Sequence, residues 1–444
     1  MRKYLAHLVV GSAVLLTASS MNAASTQSAI ASKRMPLSAV RSMRARTANH
    51  NDSFVKAGMV KRGFSAAATT GTPGVDSLAN WSDQFTAPGF DFNGNPQSVW
   101  PYTMVGTPPE SGITTTIKSP IVPVTVDLLG PDGKVAVFNG QPLSFGPGPD
   151  VLQAVLNSPM YKPFIYTSGV GQFNDQMMRA EFWDRISHNS GGDDDSEGGW
   201  HVLLSPRVRT ARRIQVPFNS WIFFTDANNN PVLFALDGNT FVNLFFPVVV
   251  DNSTPIGAAE LAGDITTKDM STFLFKDIVL FDGDISTCCV IGFHNYDFEP
   301  GDKKNGNRER RYVLNYSSWL DPGLFFFAFQ DITPWSHELN ETFNDPFVNN
   351  IVPWWVSVDP FTGGGNCQDD LETGDVVEVL SSASPTYSIA MNGRTYHPQN
   401  EAMFSWFAEL SPSHSHLGAY SFPDETTLTT LSPPNLLPGC VPAP

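Results

Sequence analysis

Hydrophobic and polar positions along this chain alternate in short runs broken by Gly, Pro and Asn, and few stretches carry helical spacing. "TTTIKSPIVPVTVDLLG" (Thr114–Gly130) is dense in β-branched residues and reads as a strand. "DVLQAVLNSPMY" and "QFNDQMMRAEFWDRI" put apolar residues three and four apart, the spacing of a helix with one buried face. From Trp200 to Val250 the texture predicts short strands joined by Asn/Gly/Pro turns. Further strands are expected in "DMSTFLFKDIVLF", "CCVIGFHNY" and "RYVLNYSSW". A Gly-rich acidic loop (Gly363–Glu378) and a late helix in "HPQNEAMFSWFAEL" follow. The order predicts an α/β (α+β) chain with a mixed sheet and many strands.

One helical stretch carries chemistry. "SHELNETFNDP" (Ser336–Pro346) follows Thr333-Pro334, a helix start in which Thr can cap free N–H groups and Pro tolerates the first position. Pro346 stops the helix and pushes Asp345 out of helical geometry. At about 100° per residue, Trp335, Leu339 and Phe343 form one apolar stripe. His337 and Glu341, four apart, lie side by side on another face and can grip one ion. Glu338 flanks them, where a general base acting on a metal-held water belongs. The same polar face also fits the wet side of an ordinary amphipathic helix.

A zinc site needs a third protein ligand, and "GGGNCQDDLETGDVVE" lies downstream. Glu372 is its first candidate and Asp375 the next. His294 in "IGFHNY", and Tyr396 and His397 in "GRTYHPQ", are further polar residues that can line a cleft or serve an ordinary core or surface role. "GGDDDSEGG" (Gly191–Gly199) has carboxylates for calcium but lacks EF-hand spacing, so it reads as a solvated loop. "LFFFAF" (Leu324–Phe329) and "PWW" (Pro353–Trp355) could stack on sugars and fit core packing better. The "NET" sequon at Asn340 falls inside the expected helix and is discounted.

Charge is unevenly spread. Residues 1–62 hold ten Lys/Arg and one acid, Asp52. The rest holds 17 basic and 42 acidic residues, a net of −25, against −16 for the whole chain. Such a body does not suit nucleic acid, whose binding draws on positive charge. "MRKYLAHLVVGSAVLLTASSMNAAS" has a basic start, an apolar stretch and then small residues, a secretory signal layout that predicts secretion, the periplasm or the cell surface. Residues 1–24 are expected as a signal peptide and 25–75 as a flexible pro-segment or linker, with Lys61-Arg62 a candidate processing point. The body spans 76–444, β-rich to about residue 260 with the metal-site part from 261 to 444. No membrane span is expected in the mature protein. Export permits disulfides among Cys288, Cys289, Cys367 and Cys440. Since adjacent cysteines rarely bond each other, one of Cys288 and Cys289 is expected to reach Cys367 or Cys440.

Together these motifs resemble a group of exported, mostly bacterial, proteins related to zincin metallopeptidases, with a helix H-E-x-x-E-x-x-[ST]-[DN]-P. A "GWHS"-like strand precedes that helix and an "E-I-G-D" segment follows it. Here "IGFHN" (Ile291–Asn295) and "ETGD" (Glu372–Asp375) stand in the same order, and Asn344 replaces the usual Thr. A weaker likeness extends to the plant exordium or phosphate-induced proteins. The resemblance covers about Asp264 to Trp406. It implies a zincin-like domain with an active-site helix and a metal-dependent, peptidase-like hydrolase acting on peptide or protein. His337 and Glu341 would be ligands, Glu338 the base, and Glu372 or Asp375 the remaining ligand. Tyr396 or His397 would steady the oxyanion. The cofactor would be Zn²⁺, and two carboxylates with one imidazole leave room for Mn²⁺ or Ca²⁺. The alternatives are a non-catalytic exported surface protein keeping a structural ion, and a glycan-binding protein using the aromatic clusters.

Overall fold

Four parallel strands and one antiparallel strand form the backbone of the fold. In the computed structural model the described residues are 25–40, 43, 45–46, 54, 75–91, 94–186, 199–325, 329–358, 365–378 and 385–431. In space the main sheet runs His201–Val208, Thr114–Leu128, Met270–Lys276, Glu309–Trp319, Gly292–Glu299. The first four are mutually parallel, and Gly292–Glu299 runs antiparallel to Glu309–Trp319 at the end of that order. Val75–Asp76, Ser144–Phe145 and Arg212–Val216 extend the same sheet. The chain is thus mixed α/β with parallel and antiparallel pairing.

The two-residue period of a strand sorts its side chains between two cores. Met270, Leu274 and Val313 enter one core, while Phe273, Phe275, Leu314 and Tyr316 enter the other. On the first face lie the helices Phe173–Glu181 and Thr333–Asn344. On the second lies Gly238–Phe245, capped by Asp237, whose side chain accepts from the Thr240 N–H at 2.8 Å. Phe241 and Phe245, one turn apart there, pack with Phe275 and Phe293. This helix occupies part of the stretch expected as strands.

A four-stranded sheet, Arg34–Pro36, Trp221–Thr225, Pro231–Asp237 and Ile278–Phe281, lies beside the second core. Its first strand comes from the segment expected to be a flexible leader. That expectation is corrected for the described part of residues 25–75. Arg34–Pro36 pairs in parallel with Phe223–Thr225, and Ile30, Val40, Ala45 and Phe54 are buried. The Arg46 N–H donates to the Cys289 carbonyl at 2.9 Å, and its carbonyl accepts from Ile291. Apolar residues too sparse to make a core of their own complete a core built by the rest. Residues 1–24 and Lys61-Arg62 lie outside the described residues, as do Cys440 and most of the 191–199 loop.

Cys288 and Cys289 are bonded to each other, which corrects the expectation of a long-range bridge from one of them. Cys367 is also disulfide-bonded. The acidic loop is more ordered than expected: Gly365–Asp370 pairs with Ile351–Val358, and Asp375–Glu378 makes a helical turn. The late helix is short, Phe404–Phe407. Leu324, Phe325 and Phe329 belong to a buried core, and Trp355 packs edge-on against Trp406 with its indole N–H on the Asp370 carbonyl. Among the described residues no helix is long and apolar enough to cross a membrane.

Candidate metal centre

The helix Thr333–Asn344 has no wet face, since all twelve of its residues are buried. Trp335, Leu339 and Phe343 enter the first core, and the Trp335 indole N–H donates to Thr272 Oγ1 at 3.1 Å, tying the helix to the sheet. Thr333 is the first helical residue rather than the cap. Its hydroxyl lies against the Gln330 and His397 carbonyls, so the expected Thr cap is not formed. Asp345 leaves helical geometry before Pro346, as Pro demands.

Because the polar face is interior, His337, Glu338 and Glu341 must be satisfied by protein groups or by an ion. His337 Nδ1 lies 3.1 Å from Gln399 Oε1, and Gln399 Nε2 donates to the Gly374 carbonyl at 2.8 Å. Gln399 Oε1 therefore accepts a hydrogen bond from Nδ1–H, which leaves Nε2 to the cluster. Nε2 lies 2.9 Å from Glu341 Oε1 and 3.7 Å from Asp375 Oδ1. Glu341 Oε1 also accepts from the Gly374 N–H at 3.1 Å, and Asp375 Oδ2 accepts from Gln368 Nε2 at 3.1 Å. Only glycine fits at 374, because a Cβ there would lie 2.2 Å from His337 Nδ1.

The antiparallel strand supplies the opposite wall. His294 and Tyr296 share the helix-facing side, while Phe293 turns to the other core. His294 Nδ1 approaches Glu341 Oε2 at 3.3 Å, Glu338 Oε2 at 3.5 Å and Glu372 Oε2 at 3.9 Å. Gly292 makes room for Glu338, since a Cβ on it would lie 2.4 Å from Glu338 Oε1. Two overlapping donor sets result, His337–Glu341–Asp375 and His294–Glu338–Glu341, each with its ligating atoms within 4.8 Å of one another.

The electrostatics follow from burial and proximity. Burial alone would lower the His337 pKa, but Glu341, Glu338 and Glu401 hold it well above the usual histidine range. His294 is likewise driven up to about 10, against desolvation, by Glu372, Glu338 and Glu341. Burial pushes Glu338 up to about 8, opposed by His294 and His337. Glu341 goes the other way: against the desolvation, His337 and His294 hold it well below the carboxylate range.

A divalent cation fits this donor set on structural grounds. Glu338 Oε1 is fully buried and accepts no hydrogen bond, while Glu338 Oε2 and Glu341 Oε2, equally buried, have only His294 Nδ1 beside them, at 3.5 and 3.3 Å. Leaving a buried acceptor unsatisfied costs about 1–3 kcal/mol, more for a charge. A histidine whose Nδ1 is held by an amide oxygen, with Nε2 among carboxylates, has the outer support that metal-ligating histidines carry.

His337, Glu338, Glu341, Glu372 and Asp375 are therefore brought together. Asp375 joins the His337 set, and Glu372 approaches from the His294 side. Tyr396 and His397 are engaged elsewhere. The Tyr396 hydroxyl donates to the Ala154 carbonyl at 2.8 Å, and His397 Nδ1 pairs with Asp331 Oδ2 at 2.6 Å near the helix start. The residue of that segment that serves the cluster is Gln399. No protein-family model matches the chain, nor does any curated protein or solved structure.

Proposed function

We propose that the protein is a divalent-metal-dependent hydrolase of peptidase type, with His337 Nε2, Glu341 and Asp375 as ligands and Glu338 as general base. The observation that carries the reading is Glu338: a wholly buried carboxylate one residue from His337, with Oε1 lacking a hydrogen bond and Oε2 facing only His294 Nδ1 at 3.5 Å. A cation held there by these residues would supply Lewis acidity and lower the pKa of a water molecule toward neutral. Glu338, whose pKa burial lifts to about 8, can take that proton and return it to a leaving amine. His294, 3.5 Å from Glu338 Oε2, steadies the carboxylate in its ionised form. Gln399 and Gly374 keep His337 Nε2 aimed at the cation. The zincin-like resemblance of the "SHELNETFNDP" and "ETGD" motifs supports peptide or protein as the substrate class and Zn²⁺ as the metal. The signal-like N-terminus supports export.

A second reading is a structural ion in a non-catalytic exported protein. One observation favours it: the donor residues are buried, with Asp375 the most exposed at 6% and His294 at 3%, whereas catalytic zinc sites keep a position open to substrate. Glu338→Gln separates the two. Catalysis predicts that the variant keeps its metal and loses casein or peptide hydrolysis. Wild-type protein that holds metal and cleaves neither substrate contradicts catalysis and leaves the structural ion.

A further inference from the structure

We infer that the cluster holds two divalent cations rather than one, bridged by the carboxylate of Glu341. This rests on the metal reading above and adds a second site to it. The two oxygens of Glu341 serve different partners: Oε1 lies 2.9 Å from His337 Nε2, and Oε2 lies 3.3 Å from His294 Nδ1. Each oxygen thus belongs to its own donor set, with Asp375 on the His337 side and Glu338 on the His294 side. A carboxylate placed in this way spans two ions about 3.5–4 Å apart, the spacing of two-metal hydrolytic sites.

Charge balance points the same way. Glu338, Glu341, Glu372 and Asp375 bring four negative charges into a buried space with two imidazoles. The chain from Tyr312 to Gly393, which supplies all four acids, contains no Lys or Arg. One divalent cation leaves two of these four charges unbalanced and two balance all four, with the carboxyl of Glu401, also buried beside His337, in addition. Two imidazoles with four carboxylates are also the donor set of dinuclear carboxylate centres in helical bundles. The sign of a missing ligand is on the second set itself: Glu338 Oε1 is buried with no hydrogen bond, and Glu338 Oε2 and Glu341 Oε2 share one neighbour, His294 Nδ1, at 3.5 and 3.3 Å. Glu338 can serve the second cation through Oε2, the oxygen facing His294, and keep Oε1 for the proton. Carboxylate-rich sites with imidazole suit Mn²⁺ and Zn²⁺.

The test uses chelator-stripped full-length protein refilled with Mn²⁺ alone, read by metal counting and electron paramagnetic resonance. The inference predicts two Mn²⁺ per chain with a spin-coupled signal. In His294→Ala it predicts one Mn²⁺ and an uncoupled signal, with His294→Gln as a volume-conserving check and circular dichroism to verify folding. One Mn²⁺ in the wild type, unchanged in folded His294 variants, overturns the second site and leaves the single-metal reading standing. Two in the wild type and still two in both variants overturns the assignment of His294. No Mn²⁺ in folded wild type, and no Zn²⁺ when the refilling is repeated with Zn²⁺, overturns both readings.

Discussion

Gln399 Oε1 stands 3.1 Å from His337 Nδ1, while the amide nitrogen of the same side chain donates to the Gly374 carbonyl at 2.8 Å. One neutral side chain thus fixes the histidine tautomer and ties the ring to the turn that leads into Asp375. Replacing Gln399 by Leu removes the acceptor for Nδ1 and frees the ring. Metal affinity should fall about 10–100-fold, in line with losses of outer hydrogen bonds at metal sites. Gln399→Glu, which keeps an acceptor, should lose less. Competition with a chromogenic chelator reads both, and equal affinity in Gln399→Leu and wild type would remove Gln399 from the site.

Gly374→Ala tests the cradle under the same ring. A Cβ built there sits 2.2 Å from Nδ1, so either the ring or the backbone must move. The expected cost is about 1–3 kcal/mol of stability, the range for overpacking a buried position, together with weaker metal binding. Thermal unfolding with and without added metal measures the two effects separately.

How much of this was legible in the sequence varies by element. The main-sheet strands and the helices at 149–156 and 173–181 stand where β-branched density and helical spacing put them. The helix at 238–245 escaped because Phe241 and Phe245 sit in a run of apolar residues that also reads as strand, and the deciding cap, Asp237, is a single residue. On the site helix, spacing alone put His337 beside Glu341 with Glu338 at the flank. That the polar face is buried was not legible from spacing, because a helical period does not say what covers each face. A compositional sign existed: a wet face normally carries Lys or Arg, and Tyr312–Gly393 has neither. His294 lies on a strand paired with Glu309–Trp319, and only the sheet register turns it toward the helix. Gln399 carries no pattern at all. An amide at a metal site becomes visible only when the histidine ring beside it is in place.

Glu181 offers a pH test away from the proposed metal ligands. It is fully buried on the Phe173–Glu181 helix, and burial lifts its pKa to about 8, opposed by the Phe404 N–H and the Asn344 side chain. A folded-state value raised above the unfolded one means that the folded protein binds the proton more tightly. The stability this gives is fully present below about pH 4.5, the unfolded value, and is lost as pH rises through about 8. Glu181→Gln keeps an acceptor for Phe404 and cannot ionise. It should flatten the fall in stability between pH 5 and 8 (roughly the window between the two values) and be the more stable form at the upper end. Urea midpoints measured across that range decide it, and parallel curves for the two proteins would refute the assignment.

Phe54 tests whether the leader is part of the fold. It is fully buried against Gly238, where an added Cβ would lie 2.6 Å from its ring. Phe54→Ala should destabilise the whole protein by about 3–5 kcal/mol, as buried Phe→Ala changes do. A freely moving linker would show no change in the unfolding midpoint.

The central claim is that His337, Glu341 and Asp375 converge on a cation, and anomalous diffraction from zinc-soaked crystals tests it most directly. The account predicts an anomalous peak at about 2.0–2.2 Å from His337 Nε2 and from carboxylate oxygens of Glu341 and Asp375. Full-length protein crystallised with excess zinc that shows no peak there, with His337 Nε2 still hydrogen-bonded to Glu341, would contradict it.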